Sequence, residues 1–494
     1  MLAAEERPAG IDHGAVEADH GRALLAIHLV LALVEAEGGA VLVITNHPRA
    51  EHVTAGALRE LRTDYLDQRL QLLRAQLRLP RSPPVGRQYS GPPRRGSDVA
   101  TVPPRARRRH AVTGPRPYNG RRHAPRRTGG AVGEVTANRK ATAGNYFEHF
   151  ASGREFTHAV PRTLTEGDCA LYIALTADRH PLHCDAEFAR SLGFERETVN
   201  DLLVFHTVFG KTVPDLSLNA IANLGYADAR FGVPVYPGDT LSARSTVLGR
   251  RESTRGDTGV VWVRTVGRNQ RGDEVLSYIR WFLVAKLDPA TPAVADDAPQ
   301  TPAAVAPAQL VVPAQLDLSR FAPLVTGGRA WWADYAPGER IHHVEGMAVE
   351  EAEHQMAARL YQNVARAHFN AYALKDSRFG RRVVYGGHVI SIARALAFNG
   401  CEHALRVLAV NGGTHSNPTF AGDTLFAWTD VLERIELGRD DAGALRLRLV
   451  ATKNRDPATE ETPLMETDAG GRERYHPSVV LDLDYTVLMP KAPR

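Results

Sequence analysis

Pro237-Gly-Asp-Thr-Leu241 recurs 184 positions later as Ala421-Gly-Asp-Thr-Leu425. Outward from that element the match continues at an offset of 185. Phe150-Ala-Ser-Gly153 aligns with Tyr335-Ala-Pro-Gly338, His158 with His343, Leu164-Thr-Glu-Gly-Asp168 with Val349-Glu-Glu-Ala-Glu353, and His183 with His368. Self-similarity at a fixed period indicates that one supersecondary unit has been duplicated. The two copies occupy residues 144–286 and 329–494. Between them, residues 287–328 are rich in Ala and Pro, with six Pro inside 287–316, and read as an extended linker.

Each copy places helices before strands. Thr165 with Asp168 fits a helix N-cap, and Ala170, Leu171, Ala174 and Leu175 follow at helical spacing. In the second copy Val389, Ile392, Ala393, Leu396 and Ala397 form the stripe of a helix packed on a core. Its counterpart at 202–209 is apolar nearly all round, which suits a helix wrapped by a sheet. Residues 275–284 and 445–449 alternate as strands do, and 241–247, 259–266 and 479–488 are further strand candidates. Helices followed by an antiparallel meander define the α+β class.

The first 143 residues read differently. Residues 81–127 hold thirteen Arg, nine Pro and one Asp, with no apolar periodicity that could offset chain entropy. No Lys precedes Lys140 and no Met lies between Met1 and Met347. Two readings stand for this extension: a disordered segment, or translation in the wrong register from a misassigned start. Either way it takes no part in the chemistry. The net charge of +4 belongs to it, because residues 81–127 contribute +12 and leave −8 for the rest of the 494 residues. That balance argues against a nucleic-acid partner. Cys169, Cys184 and Cys401 are scattered without metal-ligand spacing, as in a reducing compartment. The apolar run 23–34 is too short to span a bilayer, and acidic residues precede it, so the reading expects no membrane partner and a cytoplasmic location.

The chemistry-bearing stretch is Ala177-Asp-Arg-His-Pro-Leu-His183. Around a Pro, Asp178 and His183 fit a loop that aims both side chains into one pocket, where carboxylate and imidazole can hold a water and move its proton. This stretch resembles the Asp-x-Asn-Pro-aliphatic-His signature of the MaoC-like, R-specific enoyl-CoA hydratase family, with His180 in place of the usual Asn. The run from Phe231 to Leu241 resembles that family's turn-and-strand element. Longer runs, among them 201–214, 359–363, 385–391 and 481–485, are similar to the mesaconyl-CoA (2-methylfumaryl-CoA) hydratases, its tandem-hotdog branch.

The resemblance implies a double hotdog and reversible hydration of mesaconyl-CoA to β-methylmalyl-CoA, with Asp178 and His183 binding and deprotonating the water. The acyl-CoA thioester would be the partner, no metal or redox cofactor would be needed because the thioester is the electron sink, and pairing of two chains as a homodimer stays open. In the second copy Asn363 and His368 fall on the same positions, but Asn cannot act as a base. Against that, Tyr385-Gly386-Gly387-His388 opens the second copy's central helix, where free backbone N–H groups could stabilise an enolate oxygen. Asp178 and His183 are therefore the first choice on chemical grounds, with Asn363, His368, Gly386 and Gly387 as the rival set. A substrate carboxylate would want an Arg, and Arg230, Arg381 and Arg382 are the candidates. A broader MaoC-type hydratase, a hotdog thioesterase and a non-catalytic acyl-CoA-binding module are the alternatives.

Overall fold

Thr165 and Asp168 close a reciprocal cap: the Thr165 hydroxyl accepts from the Asp168 N–H at 3.1 Å, and the Asp168 carboxylate accepts from the Thr165 N–H at 2.9 Å. Helix α1 (Glu166–Thr176) follows, as the spacing predicts. The structure, a computed structural model, describes residues 140–468 and 470–493. Both readings of the extension over residues 1–139 lie outside the described residues.

The first copy continues with α2 (Pro181–Cys184), α3 (Ala186–Ser191) and the central α4 (Asp201–Thr212), every residue of which is buried. Its strands are β1 (Glu155–Thr157), β2 (Ala220–Phe231), β3 (Thr240–Glu252), β4 (Thr258–Arg268) and β5 (Glu274–Ala285). The second copy repeats the plan with α5 (Glu351–Leu360), α6 (Arg366–Phe369), α7 (Ala371–Leu374) and the central α8 (Gly386–Leu396). Its strands are β6 (Arg340–Ala348), β7 (Arg406–Thr414), β8 (Thr424–Glu436), β9 (Ala442–Lys453) and β10 (Val479–Pro490).

These ten strands form one antiparallel sheet in the order β1-β3-β4-β5-β2-β7-β10-β9-β8-β6, with the two-residue strand Arg162–Thr163 pairing onto the start of β3. Read from either end, each copy contributes the same sequence of strands. The copies therefore meet edge to edge at β2 and β7, where Tyr226 pairs with Gly413 and Arg230 with Ala409. An open edge invites pairing with another chain, and here the two copies satisfy each other. Each half is a helix wrapped by antiparallel strands, the double hotdog expected from the resemblance.

The core is continuous across the junction, joining Leu202, Leu203 and Phe205 of α4 to Val389, Ile390 and Ile392 of α8. Inside it Gly210 permits a close approach: a Cβ there would collide with the backbone carbonyl of Tyr361, from the other copy. The stretch read as a linker forms no strand, but it is held down. The Val305 N–H donates to the Asn411 side chain at 2.9 Å, and Leu316 and Leu318 are buried in a second apolar cluster with Leu405 and Leu408.

Candidate active site

Pro181 does not break the Asp178–His183 stretch into loop. It stands at the first position of α2, where a missing N–H costs nothing, and His180 caps that turn by accepting the Leu182 N–H on Nδ1 at 3.2 Å. The turn carries His183 back onto Asp178, whose Oδ2 accepts from the His183 Nδ1–H at 2.8 Å. The Asp178 Oδ1 accepts the His180 N–H at 3.2 Å. A third group joins the pair. Asn200, the N-cap of α4, donates from Nδ2 to Asp178 Oδ2 at 2.7 Å and accepts the Leu202 N–H at 2.8 Å, which ties the pair to the start of the central helix.

The electrostatics follow from these contacts. Burial acts to raise the Asp178 carboxyl, but the charge and hydrogen bond of His183, with help from the Asn200 amide, outweigh it and hold the group well below the usual carboxylate range. With the Nδ1 proton spent on Asp178, the His183 ring can accept a proton only at Nε2, which is buried and has no hydrogen-bond partner. His180 is kept neutral, its ionisation pushed well below the ordinary histidine value by burial and then by His183. Since its Nδ1 accepts, its proton sits on Nε2, also buried and unpartnered. One cleft is lined by Tyr172, Asp178, His180, His183, Asn200 and Asp201 of the first copy and by Ser391 and Arg394 of the second. It leaves about 20 Å³ of space, room for one water. Asp201 begins α4, so its N–H lacks an intrahelical acceptor. Its carboxylate is neutralised by Arg406 at 2.6 Å across the junction.

The corresponding place in the second copy is filled differently. Asn363 uses its carbonyl oxygen to accept the Ala365 N–H at 3.1 Å, while its Nδ2 is buried without a partner. His368 donates from Nδ1 to the Val383 carbonyl at 2.8 Å and is not bonded to Asn363. Where Asn200 stands in the first copy, the second has Tyr385, whose ring packs on His368 at 5.4 Å, His206 at 5.4 Å and Phe209 at 5.6 Å. Gly386 lies against the His415 ring, and Gly387 against Tyr385 and His206, so both glycines have a packing reason for lacking a Cβ. His388 is buried with Nδ1 3.3 Å from the Tyr361 hydroxyl.

The three Arg residues suggested by the sequence are engaged elsewhere. Arg230 sits 3.4 Å from Asp228 on β2, Arg381 lies over the Phe420 ring at 4.0 Å, and Arg382 pairs with Glu351. None lines the cleft with Asp178. Sequence reasoning missed Asn200 and Arg394. Asn200 was legible as a cap just ahead of the apolar run, and Arg394 as a lone charge within the apolar stripe of α8.

The family model described as mesaconyl-CoA hydratase matches residues 132–463. This chain belongs to the mesaconyl-CoA hydratase family. Two relatives agree over nearly their whole lengths. It is 52% identical over 353 residues, 71% of this chain and 99% of the other, to the β-methylmalyl-CoA dehydratase of Chloroflexus aurantiacus. It is 50% identical, over 71% of this chain and 100% of the other, to the mesaconyl-CoA hydratase of Cereibacter sphaeroides. Among solved structures, a MaoC-domain dehydratase of Chloroflexus aurantiacus matches with a TM-score of 0.68 at 52% identity, covering 72% of this chain and 99% of that one. Within the mesaconyl-CoA hydratase family the chain thus combines an Asp/His/Asn constellation in one hotdog with an aromatic-filled counterpart in the other.

Proposed function

We propose that this member of the family is a hydro-lyase that adds water reversibly across the double bond of mesaconyl-CoA to give β-methylmalyl-CoA, with the chemistry in the first copy. The observation that carries the placement is His183: its Nε2 is buried, unpartnered and beside a water-sized cleft, with Nδ1 fixed by Asp178. In the hydration direction His183 Nε2 takes a proton from the water, which His180 Nε2–H helps to orient. The oxygen attacks the carbon β to the thioester, and the electron pair of the alkene moves toward the carbonyl. The N–H of Asp201 at the start of α4 stabilises the resulting enolate oxygen, with the helix dipole in support. His183 then returns a proton to the α carbon, so H and OH are both accounted for. Asp178 orients the imidazole and stabilises its charged form.

Enoyl-thioester absorbance of mesaconyl-CoA with the full chain tests this reading. Loss of absorbance with formation of β-methylmalyl-CoA, identified by mass, supports it. Release of free CoA thiol would point to a thioesterase instead, and binding without turnover to an acyl-CoA-binding module.

A further inference from the structure

The cleft contains a cation that the proposed steps do not use. Arg394 reaches it from α8, so the second copy supplies it to a site whose acid/base groups come from the first. One Nη2 donates to the Ala404 carbonyl at 3.1 Å, while Nε is buried without an acceptor. Among the described residues no carboxylate forms an ion pair with it. The two carboxylates that line the cleft are committed, Asp178 to His183 and Asn200, and Asp201 to Arg406. A guanidinium keeps its charge at any working pH, and one with unmet donors in a partly desolvated cleft is unfavourable until an anion joins it.

The duplication provides an internal comparison. At the offset of 185, the first-copy counterpart of Arg394 is Phe209, and it packs on Tyr385 beside the half that has Asn363 instead of an aspartate. Of these two corresponding positions, then, the cation stands on the wall facing the complete Asp178–His183 pair. Substrate chemistry calls for a cation there. In mesaconyl-CoA the carbon that receives the water also bears the free carboxylate, so a substrate placed for attack beside His183 brings its negative charge into the same cleft.

We infer that Arg394 binds the free carboxylate of the substrate and selects carboxylated enoyl thioesters over alkyl ones, a specificity role that rests on the hydratase reading above. The test compares mesaconyl-CoA with tiglyl-CoA, in which a methyl replaces the carboxylate. For Arg394→Met, kcat/KM on mesaconyl-CoA is expected to fall by at least about a hundredfold, as when one partner of a buried charge pair is removed. Tiglyl-CoA should be used as well as before or better; where it is not turned over, its inhibition constant is the readout. Arg394→Lys should recover part of the preference. An active parent whose Arg394→Met variant loses equally on both thioesters, or keeps its preference for the carboxylate, would overturn this inference alone. A parent inactive on mesaconyl-CoA would overturn the hydratase reading and this one with it.

Discussion

At the scale of single residues, the two copies ask whether a histidine in the right place suffices. His183 and His368 occupy corresponding positions, yet only His183 has a carboxylate on Nδ1 and an unpartnered Nε2 beside a cleft. His183→Ala and Asp178→Asn should therefore each lower kcat by roughly 10²–10⁴, the usual yield of positioned acid/base catalysis. His368→Ala, checked by circular dichroism for folding, should retain most of the activity. Asp178 also has a signature in stability. Its folded-state ionisation is depressed below that of the unfolded chain, so its contribution is present above the ordinary carboxylate range and is lost as pH falls below about 4. Melting temperatures measured down that range should fall less steeply for Asp178→Asn than for the parent, and equal slopes would contradict the burial and pairing described. The pair itself was legible from sequence because Asp178, Pro181, Leu182 and His183 together resemble a hydratase signature, whereas an Asp and a His five apart are weak evidence alone. Asn200 was hidden because a capping residue reads as local structure until the fold shows what its other hydrogen bond reaches.

At the scale of elements, α4 and α8 each reach the other copy, α8 through Arg394 in the cleft and α4 through Gly210 against the end of α5. Gly210→Ala would normally favour a helix, but here the added methyl meets the Tyr361 carbonyl. Overpacking of this kind costs about 1–3 kcal/mol, so the variant should unfold at lower denaturant with an unchanged slope. A more stable variant would mean that the helices have slack at that point. Strand legibility followed the same physics of packing. β3, β4, β5, β9 and β10 were readable from alternation or apolar runs. β2 was not, because register shifts near Ala220, Asn223 and Ala227, and a positive φ at Asp228, break its period. β7 was not because 406–411 are buried throughout, which erases the inward and outward alternation that marks a half-exposed strand. The two strands that join the copies were thus among those that sequence periodicity did not find, together with β1, β6 and β8.

At the scale of the whole molecule, the second copy and the face of α4 packed on it form a store of buried neutral histidines. Burial holds His368 and His415 down to about 4 and His388 down to about 3, and keeps His206 well below its ordinary value. His343 is also held to about 4, again by burial. All of these folded-state values lie below the unfolded one. As pH falls from about 6.5 toward 4, the unfolded chain therefore takes up protons that the folded chain refuses, and stability drops through that window. Thermal melts across pH 4–7 should show a steep decline, shallower in His415→Gln; a flat profile would mean these rings are more open to water than the structure indicates. How the copies meet has one more consequence. The acid/base pair precedes the segment 287–328 and the guanidinium follows it. Cut there, the protein would have to reassemble its catalytic cleft by collision, and its specific activity would fall on dilution. Joined, each half is held near the other at a fixed effective concentration, so dilution does not separate them.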